Sequence, residues 1–322
     1  MKCDAEQNAD RVTKSAIGLD VGGTKTTGAI VTAEGQIVMH QTIPTLPQRG
    51  GEAVAQDVYD LAKQLHDSSD VASSKPTGIG VSLCELVSNS GEIVSDATIK
   101  WRQIDIRRRL SALAPTTIEA DSRAAALCEA QYGAGRQFPI FLYVTIGTGI
   151  SCSLVVDGRP FLGARGATGT MASGQLTTLC SQCGMCSTSI IEQIASGPAI
   201  AMRYNQKSGA SAEGSKEVLA AADAGDSAAR ETVISGAKYV GSTVAQLVSV
   251  LDPHAVIVGG GLGSATGLYW QTLQESIRQH IWSDAHRQLP IIQGEYGNRA
   301  GVVGAAAAVL HPRVFQEVFE AG

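Results

Sequence analysis

The sequence predicts an α/β protein built from two lobes. Short apolar runs rich in β-branched residues alternate with helical stretches, which is typical of the α/β class. A strand, glycine turn, strand arrangement at residues 16–32 returns at residues 140–156. This weak internal repeat indicates a second hairpin in a second domain. The chain has 322 residues, a length that suits two domains with a large core.

The predicted first lobe begins with a hairpin. Two β-rich runs, 16–21 and 26–32, lie on either side of a glycine turn, which favours an antiparallel pair. Further along, apolar residues recur on one face of a helix in the order Val54, Val58, Leu61 and Leu65. The other predicted elements of this lobe are a strand at 37–41, the helix at 52–66 and a buried strand at 79–83.

The predicted second lobe starts with the strand 117–120 and a helix at 122–132. The elements that follow are strands at 140–146 and 150–156, helices at 189–205, 216–224 and 227–251, a strand at 255–258, and helices at 269–281 and from Gly301. We assign residues 1–116 to the small first lobe, joined by the C-terminal helix 301–322, and residues 117–300 to the large one. No Pro- or Gly/Ser-rich linker separates them, so the boundary near Pro115 is predicted to be a hinge between packed lobes.

Composition disfavours several classes of function. The net charge of −5 and the pI near 5.7 argue against a nucleic-acid partner, and the basic run 107–109 is expected on a solvated helix face. No run approaches the ~20 apolar residues that span a bilayer, and the polar N-terminus lacks the apolar region of a secretory signal. Seven cysteines, an odd number, suggest free thiols or a metal rather than a disulfide framework. We therefore expect a cytoplasmic protein that acts on a small molecule.

The first glycine turn carries the residues Asp20, Gly22, Gly23, Thr24 and Lys25. Glycine permits positive φ and lets backbone N–H groups approach a phosphate without a Cβ in the way. The carboxylate at the strand end is a candidate Mg²⁺ ligand, directly or through water. The GxxxxGK[ST] spacing is absent, so the turn is not a Walker A loop. A purely structural hairpin would look similar, and phosphate binding needs support from the other turns.

Two further glycine turns give that support. Gly147, Thr148 and Gly149 join the strands of the second hairpin. The third turn, Gly259, Gly260 and Gly261, follows a strand and precedes a helix.

Several segments together resemble one known family. They are LDVGGTKT, IEADSRAAALCEA, TIGTGI, FLGARGATGT, the cysteine cluster, IIEQIASGPAI and VIVGGGLG. With these motifs, nearly the whole chain resembles the ROK family (repressors, open reading frames, kinases) of the sugar-kinase/actin superfamily. The resemblance implies two actin-like (ribonuclease H-like) α/β lobes with a cleft between them. It also implies a homodimeric, Mg²⁺- and ATP-dependent kinase whose first two glycine turns bind phosphates and whose third binds adenosine.

Asp121 is the candidate catalytic base. From residue chemistry alone, an Asp between a strand and a helix is first an N-cap. In ROK kinases, however, the matching aspartate of a Glu-Asn-Asp triplet takes the proton from the primary hydroxyl of the sugar. The triplet here is Glu119, Ala120 and Asp121. By this resemblance, the chain keeps the aspartate that acts as the base. It lacks the asparagine amide that contacts sugar hydroxyls in the family.

The predicted substrate pocket departs from the family. The family segment Gly-Glu-x-Gly-His reads Gly-Thr-Met-Ala-Ser at residues 169–173, so Thr170 replaces the Glu and Ser173 the His. A later family glutamate is kept as Glu192. Since sites built to bind a hydroxyl discriminate strongly, these losses, with Ala120, disfavour glucose. We predict phosphorylation of the primary hydroxyl of a C7-cyclitol of the valiolone type. The amino sugar kanosamine and a hexose are alternatives.

The cysteine cluster Cys180, Cys183 and Cys186 falls where many ROK proteins bind structural Zn²⁺ through one His and three Cys. Here Ser173 takes the place of the His and the cysteine spacing differs from the family's. Three thiolates supply three corners of a tetrahedral site. Candidates for the fourth are Cys84, Cys128, Cys152, a water or a histidine. A redox-sensitive loop and plain surface thiols are the alternatives.

Two other kinds of protein compete with the kinase. ROK repressors carry a helix-turn-helix extension of ~60–80 residues ahead of the first turn, whereas the first strand here starts near residue 16. We therefore expect no such module. A sugar-sensing ROK protein without catalysis is separated from the kinase only by an activity assay.

Overall fold

The structure is a computed structural model that describes residues 14–68, 75–101, 103–179 and 182–312. Its strands are β1 (Ser15–Val21), β2 (Lys25–Thr32), β3 (Ile37–Pro44), β4 (Ile79–Leu83), β5 (Thr116–Ala120), β6 (Ile140–Ile146), β7 (Ile150–Val156), β8 (Arg159–Pro160), β9 (Gln175–Leu179), β10 (Cys186–Ile190), β11 (Ala255–Gly259) and β12 (Ile291–Gln293). Its helices are α1 (Gly51–Ser68), α2 (Ile106–Ser111), α3 (Asp121–Gln131), α4 (Ile191–Ala195), α5 (Gly197–Ser208), α6 (Ser215–Asp223), α7 (Ser227–Leu251), α8 (Leu268–His280), α9 (Asp284–Arg287) and α10 (Ala300–Leu310). The predicted α/β class is confirmed.

The chain divides into two compact units. The first takes the chain up to Cys128, the short segment Ala164–Gly166 and the chain from Arg299 onwards. The second takes Glu129–Gly163 and Ala167–Asn298. This division departs from the boundary predicted at residue 116. The physical reason is that β5 pairs with β4, which brings β5 and α3 into the first unit.

The sheet of the first unit has the strand order β3-β2-β1-β4-β5. The antiparallel pair β1–β2 confirms the predicted first hairpin, and β4 and β5 run parallel to β1. In this register Leu83 pairs with both Val21 and Ala120. The carboxyl ends of three strands therefore meet at one edge, which is where parallel sheets usually place ligand sites.

Two helices cover this sheet. On α1, the predicted apolar face formed by Val54, Val58, Leu61 and Leu65 is buried. The Gly- and Ala-rich α10 packs so closely that an added Cβ at Gly80 would collide with the carbonyl group of Ala305. Small residues on both sides permit that close approach. No helix among the described residues has the length and apolar character needed to cross a membrane.

The sheet of the second unit has the strand order β12-β11-β6-β7-β8. The antiparallel pair β6–β7 confirms the predicted second hairpin, and Ile146 and Ile150 are its last partners before the turn. The long helices α7 and α8 pack against one another at Gly241, where a Cβ would lie 2.6 Å from the side chain of Ser276. Their apolar faces and the sheet form one core.

One predicted helix is wrong. Residues 189–205 are not continuous, because β10 runs to Ile190 and the short α4 ends at Ala195. The hydroxyl of Ser196 then accepts a hydrogen bond from the N–H of Ala199 and caps α5. A serine cap followed by Pro198 is a start signal for a new helix, and it outweighs the apolar periodicity that runs through it.

Candidate active site

Asp121 stands at the carboxyl edge of the first sheet. It directly follows β5 and is the first residue of α3. Its Oδ1 accepts a hydrogen bond of 2.6 Å from the N–H of Ser122. The preceding residue of the predicted triplet, Ala120, is buried. The carboxylate therefore begins a helix, as an N-terminal Asp does, and is held at the edge where the strands end.

Asp20 lies two strands away at the same edge. It is half-buried in β1, and its Oδ1 accepts a hydrogen bond of 2.8 Å from the Ser82 hydroxyl. A Cβ added at Gly301 would lie 2.6 Å from its carboxyl carbon, so the carboxylate rests on the first turn of α10. Burial raises the pKa of Asp20, and the Ser82 hydrogen bond and the Lys25 charge oppose that rise. A nearby cation would favour the ionised form.

The first glycine turn follows β1. Its closing hydrogen bond runs from the N–H of Gly22 to the carbonyl of Lys25 at 3.0 Å. The buried Thr45 supports it, donating its hydroxyl to the Gly22 carbonyl at 2.7 Å. Within the described residues, the N–H groups of Gly23 and Thr24 donate no hydrogen bond. Two amide donors are thus available for a phosphate.

Cys84 is a site residue that the sequence analysis did not place here. It directly follows Leu83, which pairs with Val21 and Ala120, so it stands between the first glycine turn and Asp121. Burial and then the charges of Asp121 and Glu85 raise the pKa of its thiol to about 12. The thiol is therefore protonated at neutral pH. The prediction of the strand 79–83 was the one signal that pointed to this position.

Glu85 is a second residue that was missed. Its buried carboxylate accepts hydrogen bonds from the Ser95 hydroxyl and from the N–H groups of Ala97, Thr98 and Ile99. These bonds fix residues 95–99 beside the first turn, where a Cβ at Gly23 would lie 2.7 Å from the Thr98 methyl group. The acceptor and its donors are ten or more residues apart, so no local pattern reveals them.

The second glycine turn is supported by Glu192. The Oε2 atom of Glu192 accepts a hydrogen bond of 2.9 Å from the N–H of Ile150. The same atom would lie 2.9 Å from a Cβ added at Gly149. The Gly147 carbonyl accepts a hydrogen bond of 2.8 Å from Gly197, at the start of α5. Thr148 is exposed at the tip. The structure thus links a predicted substrate residue to a predicted phosphate turn.

The third glycine turn adjoins the second. Gly260 has φ +82°, and its added Cβ would lie 2.5 Å from the carbonyl oxygen of Ile146. The same carbonyl accepts hydrogen bonds from the N–H groups of Leu262 and Gly263, at 2.9 and 3.0 Å. Gly259 ends β11, and the N–H of Gly261 would lie 3.6 Å from a Cβ at Gly147. The two turns therefore pack directly against one another, although they are far apart in the chain.

The predicted substrate segment lies beside Glu192. Its Ala172 carbonyl accepts a hydrogen bond of 3.3 Å from the N–H of Glu192, and Thr170 and Ser173 close a turn at 3.2 Å. Both of those side chains belong to exposed residues. The second unit therefore groups Thr170, Ser173 and Glu192, whereas Ala120 and Asp121 belong to the first unit.

The cysteine cluster is described only in part. Cys180 lies outside the described residues, while Cys183 and Cys186 are exposed free thiols. Among the proposed fourth ligands, Cys128 and Cys152 are buried, and burial raises the pKa of Cys152 to about 11. The described parts of the chain contain no group of three or more His, Cys, Asp or Glu residues placed to hold a metal.

Comparison with known proteins identifies relatives of the whole chain. Residues 16–311 match the ROK family. A glucokinase from Halalkalibacterium halodurans is 29% identical, with 89% of this chain and 92% of the relative covered. An N-acetyl-D-glucosamine kinase from Citrobacter koseri is 28% identical, with 90% and 97% covered.

The fold gives the same result. The crystal structure of a ROK family glucokinase from Streptomyces griseus, in complex with glucose and AMPPNP, matches with a TM-score of 0.78 and 25% identity. The match covers 91% of this chain and 98% of that one. The predicted class of two actin-like α/β lobes is confirmed. The chain belongs to the ROK family and is a kinase of its ATP-dependent sugar-kinase type.

Proposed function

We propose that this protein transfers the γ-phosphoryl group of ATP to the primary hydroxyl of a sugar-like polyol, with Asp121 as the general base. The observation that carries the proposal is the edge of the first sheet. There, Asp121, Asp20 and the free N–H groups of the first glycine turn are built from neighbouring strand ends. A base and a phosphate-binding backbone are the two parts that phosphoryl transfer needs.

In the proposed reaction, the acceptor oxygen attacks the γ-phosphorus in line with the departing ADP oxygen. The new O–P bond forms as the old one breaks, and Asp121 takes the hydroxyl proton. The N–H groups of Gly23 and Thr24 stabilise the charge on the phosphoryl oxygens. Asp20 suits a Mg²⁺ ion because it offers a carboxylate ligand. Burial raises the pKa of this carboxylate, and a bound cation would offset that effect. That ion would neutralise charge on the phosphates when it is bound.

We propose a C7-cyclitol of the valiolone type as the acceptor. Three positions that lack the family's usual hydroxyl ligands support this choice: the buried Ala120 before the base in the first unit, and the exposed Thr170 and Ser173 beside Glu192 in the second. The Glu192 Oε2 atom is bonded to the second turn, and its Oε1 atom remains for a substrate hydroxyl. A cyclitol lacks the ring oxygen and the hemiacetal of a pyranose. A pocket with fewer hydrogen-bonding groups for that end of the substrate therefore suits a cyclitol. Kanosamine and hexoses remain the alternative acceptors.

The experiment is a comparison of ATP consumption with glucose, kanosamine and a valiolone-type cyclitol, with ³¹P NMR to find the phosphorylated position. We expect the highest kcat/KM with the cyclitol and phosphate on its exocyclic hydroxyl. A protein that binds one of these molecules without any turnover would be a sensor, and the proposal would be wrong.

Zinc binding by Cys180, Cys183 and Cys186 is a separate proposal. The described thiols, Cys183 and Cys186, supply two of the four ligands of a closed structural site, so the site depends on Cys180 and a fourth ligand. We expect about one zinc per chain in protein purified without chelators, and its loss in a Cys183→Ser, Cys186→Ser variant. Metal-free protein with full activity and unchanged Tm would contradict the proposal.

A further inference from the structure

Arg123 is a buried arginine whose guanidinium bonds in three directions. The residue is 2% exposed. Its Nε donates a hydrogen bond to Glu119, Nη1 donates to the Gly166 carbonyl at 2.9 Å, and Nη2 donates to the Val87 carbonyl at 2.7 Å. Burying a charge in this way is costly unless each donor finds an acceptor. The planar guanidinium satisfies that geometry, which a lysine cannot reproduce.

The ion pair spans the junction that carries Asp121. Glu119 is in β5 and Arg123 is in the first turn of α3, so Asp121 lies midway between the two. The Glu119 Oε1 atom also accepts a hydrogen bond of 2.8 Å from the N–H of Ala120. Burial raises the pKa of Glu119, and the positive charge of Arg123 opposes that rise. The pair therefore fixes the backbone on both sides of the proposed base.

The same guanidinium holds a second piece of chain. Gly166 has φ +72°, and an added Cβ would collide with the backbone of Val87 and Ser88. Its segment, Ala164–Gly166, belongs to the first unit although the chain on either side belongs to the second. Three residues beyond Gly166, the chain enters the predicted substrate segment at Gly169. Arg123 thus bonds to the chain three residues ahead of that segment.

We propose that Arg123 is a positioning residue of the phosphoryl transfer. It sets the place of the Asp121 carboxylate and the entry point of the segment that carries Thr170 and Ser173. The inference rests on the proposed function, since it assumes that Asp121 is the base. A small misplacement of a reacting group lowers turnover strongly, by about 10²-fold for 1 Å. Loss of Arg123 is therefore expected to affect kcat and the KM of the acceptor.

The test uses Arg123→Lys and Arg123→Gln in the full chain, with glucose and a valiolone-type cyclitol as acceptors. Both variants should lower kcat about tenfold or more and raise the acceptor KM several-fold, while the KM for ATP stays within about twofold. The KM for ATP should change little because the hydrogen bonds of Arg123 go to Glu119, Gly166 and Val87 and not to the first turn. Gly166→Ala disturbs the same contact at its acceptor, because the added Cβ would collide with the backbone of Val87 and Ser88. This variant should also raise the acceptor KM.

The pH dependence of stability, together with a double variant, separates the positioning role of Arg123 from its contribution to stability. Arg123→Gln leaves Glu119 buried without its cation and raises its pKa further above the unfolded value. The stability deficit of this variant should then be smallest below the unfolded pKa, where the carboxyl is protonated in both the folded and the unfolded state, and should grow as the pH rises through the folded pKa. The double variant Glu119→Gln, Arg123→Gln removes this pH dependence and recovers Tm. Its kcat should stay low, because the hydrogen bonds to Val87 and Gly166 are still missing.

Arg107→Gln is the matched control. Arg107 donates to the Ser90 and Gly91 carbonyls, at 3.1 and 2.8 Å, without contacting Glu119, so wild-type kinetics are expected. The inference is overturned if the double variant is folded with wild-type kcat and acceptor KM, or if the loss of kcat merely follows the folded fraction. Should Asp121→Asn stay active, the proposed base is wrong. Should it be inactive while the Arg123 variants match wild type, the positioning role alone is wrong.

Discussion

The carboxylates of the first unit differ in their place in the fold and in the groups that bind them. Glu85 accepts four hydrogen bonds and Glu119 is paired with Arg123. Asp20 and Asp121 stand at the strand ends, where their Oδ1 atoms accept hydrogen bonds from the Ser82 hydroxyl and the Ser122 N–H. The first two are committed to structure. The other two stand at the edge of the sheet where a kinase site needs carboxylates for a metal and for a proton.

Asp121→Asn should lower kcat by about 10²–10⁴-fold, because the amide cannot accept the hydroxyl proton. The fold should survive, since the amide oxygen can still accept the Ser122 N–H. Steady-state kinetics with a thermal melt measure both quantities. Asp157→Asn is the control: Asp157 is exposed at φ +49°, a conformation that Asn tolerates, and activity should be unchanged. Near-wild-type turnover by a folded Asp121→Asn protein would refute the assignment.

Cys84 should resist alkylation despite its place at the site. Its pKa of about 12 leaves almost no thiolate at pH 7.5, and the thiolate is the reactive form. With iodoacetamide and peptide mass spectrometry, we expect the exposed Cys183 and Cys186 to be labelled at least about tenfold faster. Cys152, which is buried with a pKa of about 11, is the internal control and should also react slowly. Equal rates at Cys84 and Cys183 would contradict the pKa argument.

At the scale of elements, the parts with local signals were predicted well. Both glycine hairpins, the strand β4 and the helix α7 follow from β-branched runs, turns and periodicity. The hairpin β9–β10 was missed because its sequences, QLTTL and CSTSI, are mostly polar and show no strong alternation. Likewise, the bond from Glu192 to Ile150 joins residues 42 positions apart. Pairings of that kind depend on the tertiary fold, which local patterns do not encode.

Glu192 is expected to serve both the second turn and the acceptor. Glu192→Gln keeps an oxygen for the Ile150 N–H but loses the charge, so it should raise the acceptor KM while leaving the KM for ATP nearly unchanged. Loss of one charge-assisted bond costs roughly 1.5–3 kcal/mol, or about one to two decades in binding. Glu192→Ala also removes the support of the turn and should raise both KM values. An unchanged acceptor KM in both variants would remove Glu192 from the substrate site.

At the scale of the whole molecule, the sequence predicted the class, the two hairpins and the family. It did not predict that β5 and α3 join the first unit, since strand order is set by pairing across the sheet. The site residues divide accordingly: the base and the first turn come from one unit, the other two turns and Glu192 from the other. The proposed substrate positions are divided in the same way, with Ala120 in the first unit and Thr170 and Ser173 in the second. Substrate choice is therefore best tested by changing the three positions together.

The final prediction is that the family's hydroxyl ligands can be restored. Ala120→Asn, Thr170→Glu and Ser173→His together should raise kcat/KM for glucose and lower it for a valiolone-type cyclitol. Each regained bond contributes up to about 1.5–3 kcal/mol, although neighbouring changes need not add. Thr170 and Ser173 are exposed and should accept larger side chains, whereas Ala120 is buried and is the change that puts stability at risk.

The comparison therefore includes the double variant Thr170→Glu, Ser173→His, which leaves the buried position unchanged. We expect an intermediate gain for glucose with a Tm close to wild type. Asp121→Asn added to the triple variant should abolish turnover of both acceptors, since the base is common to them. If wild type already prefers glucose by a wide margin, or if the triple variant folds and gains nothing, then contacts other than these three positions choose the substrate. The cyclitol proposal would then lose its physical basis, while the assignment as a kinase would stand.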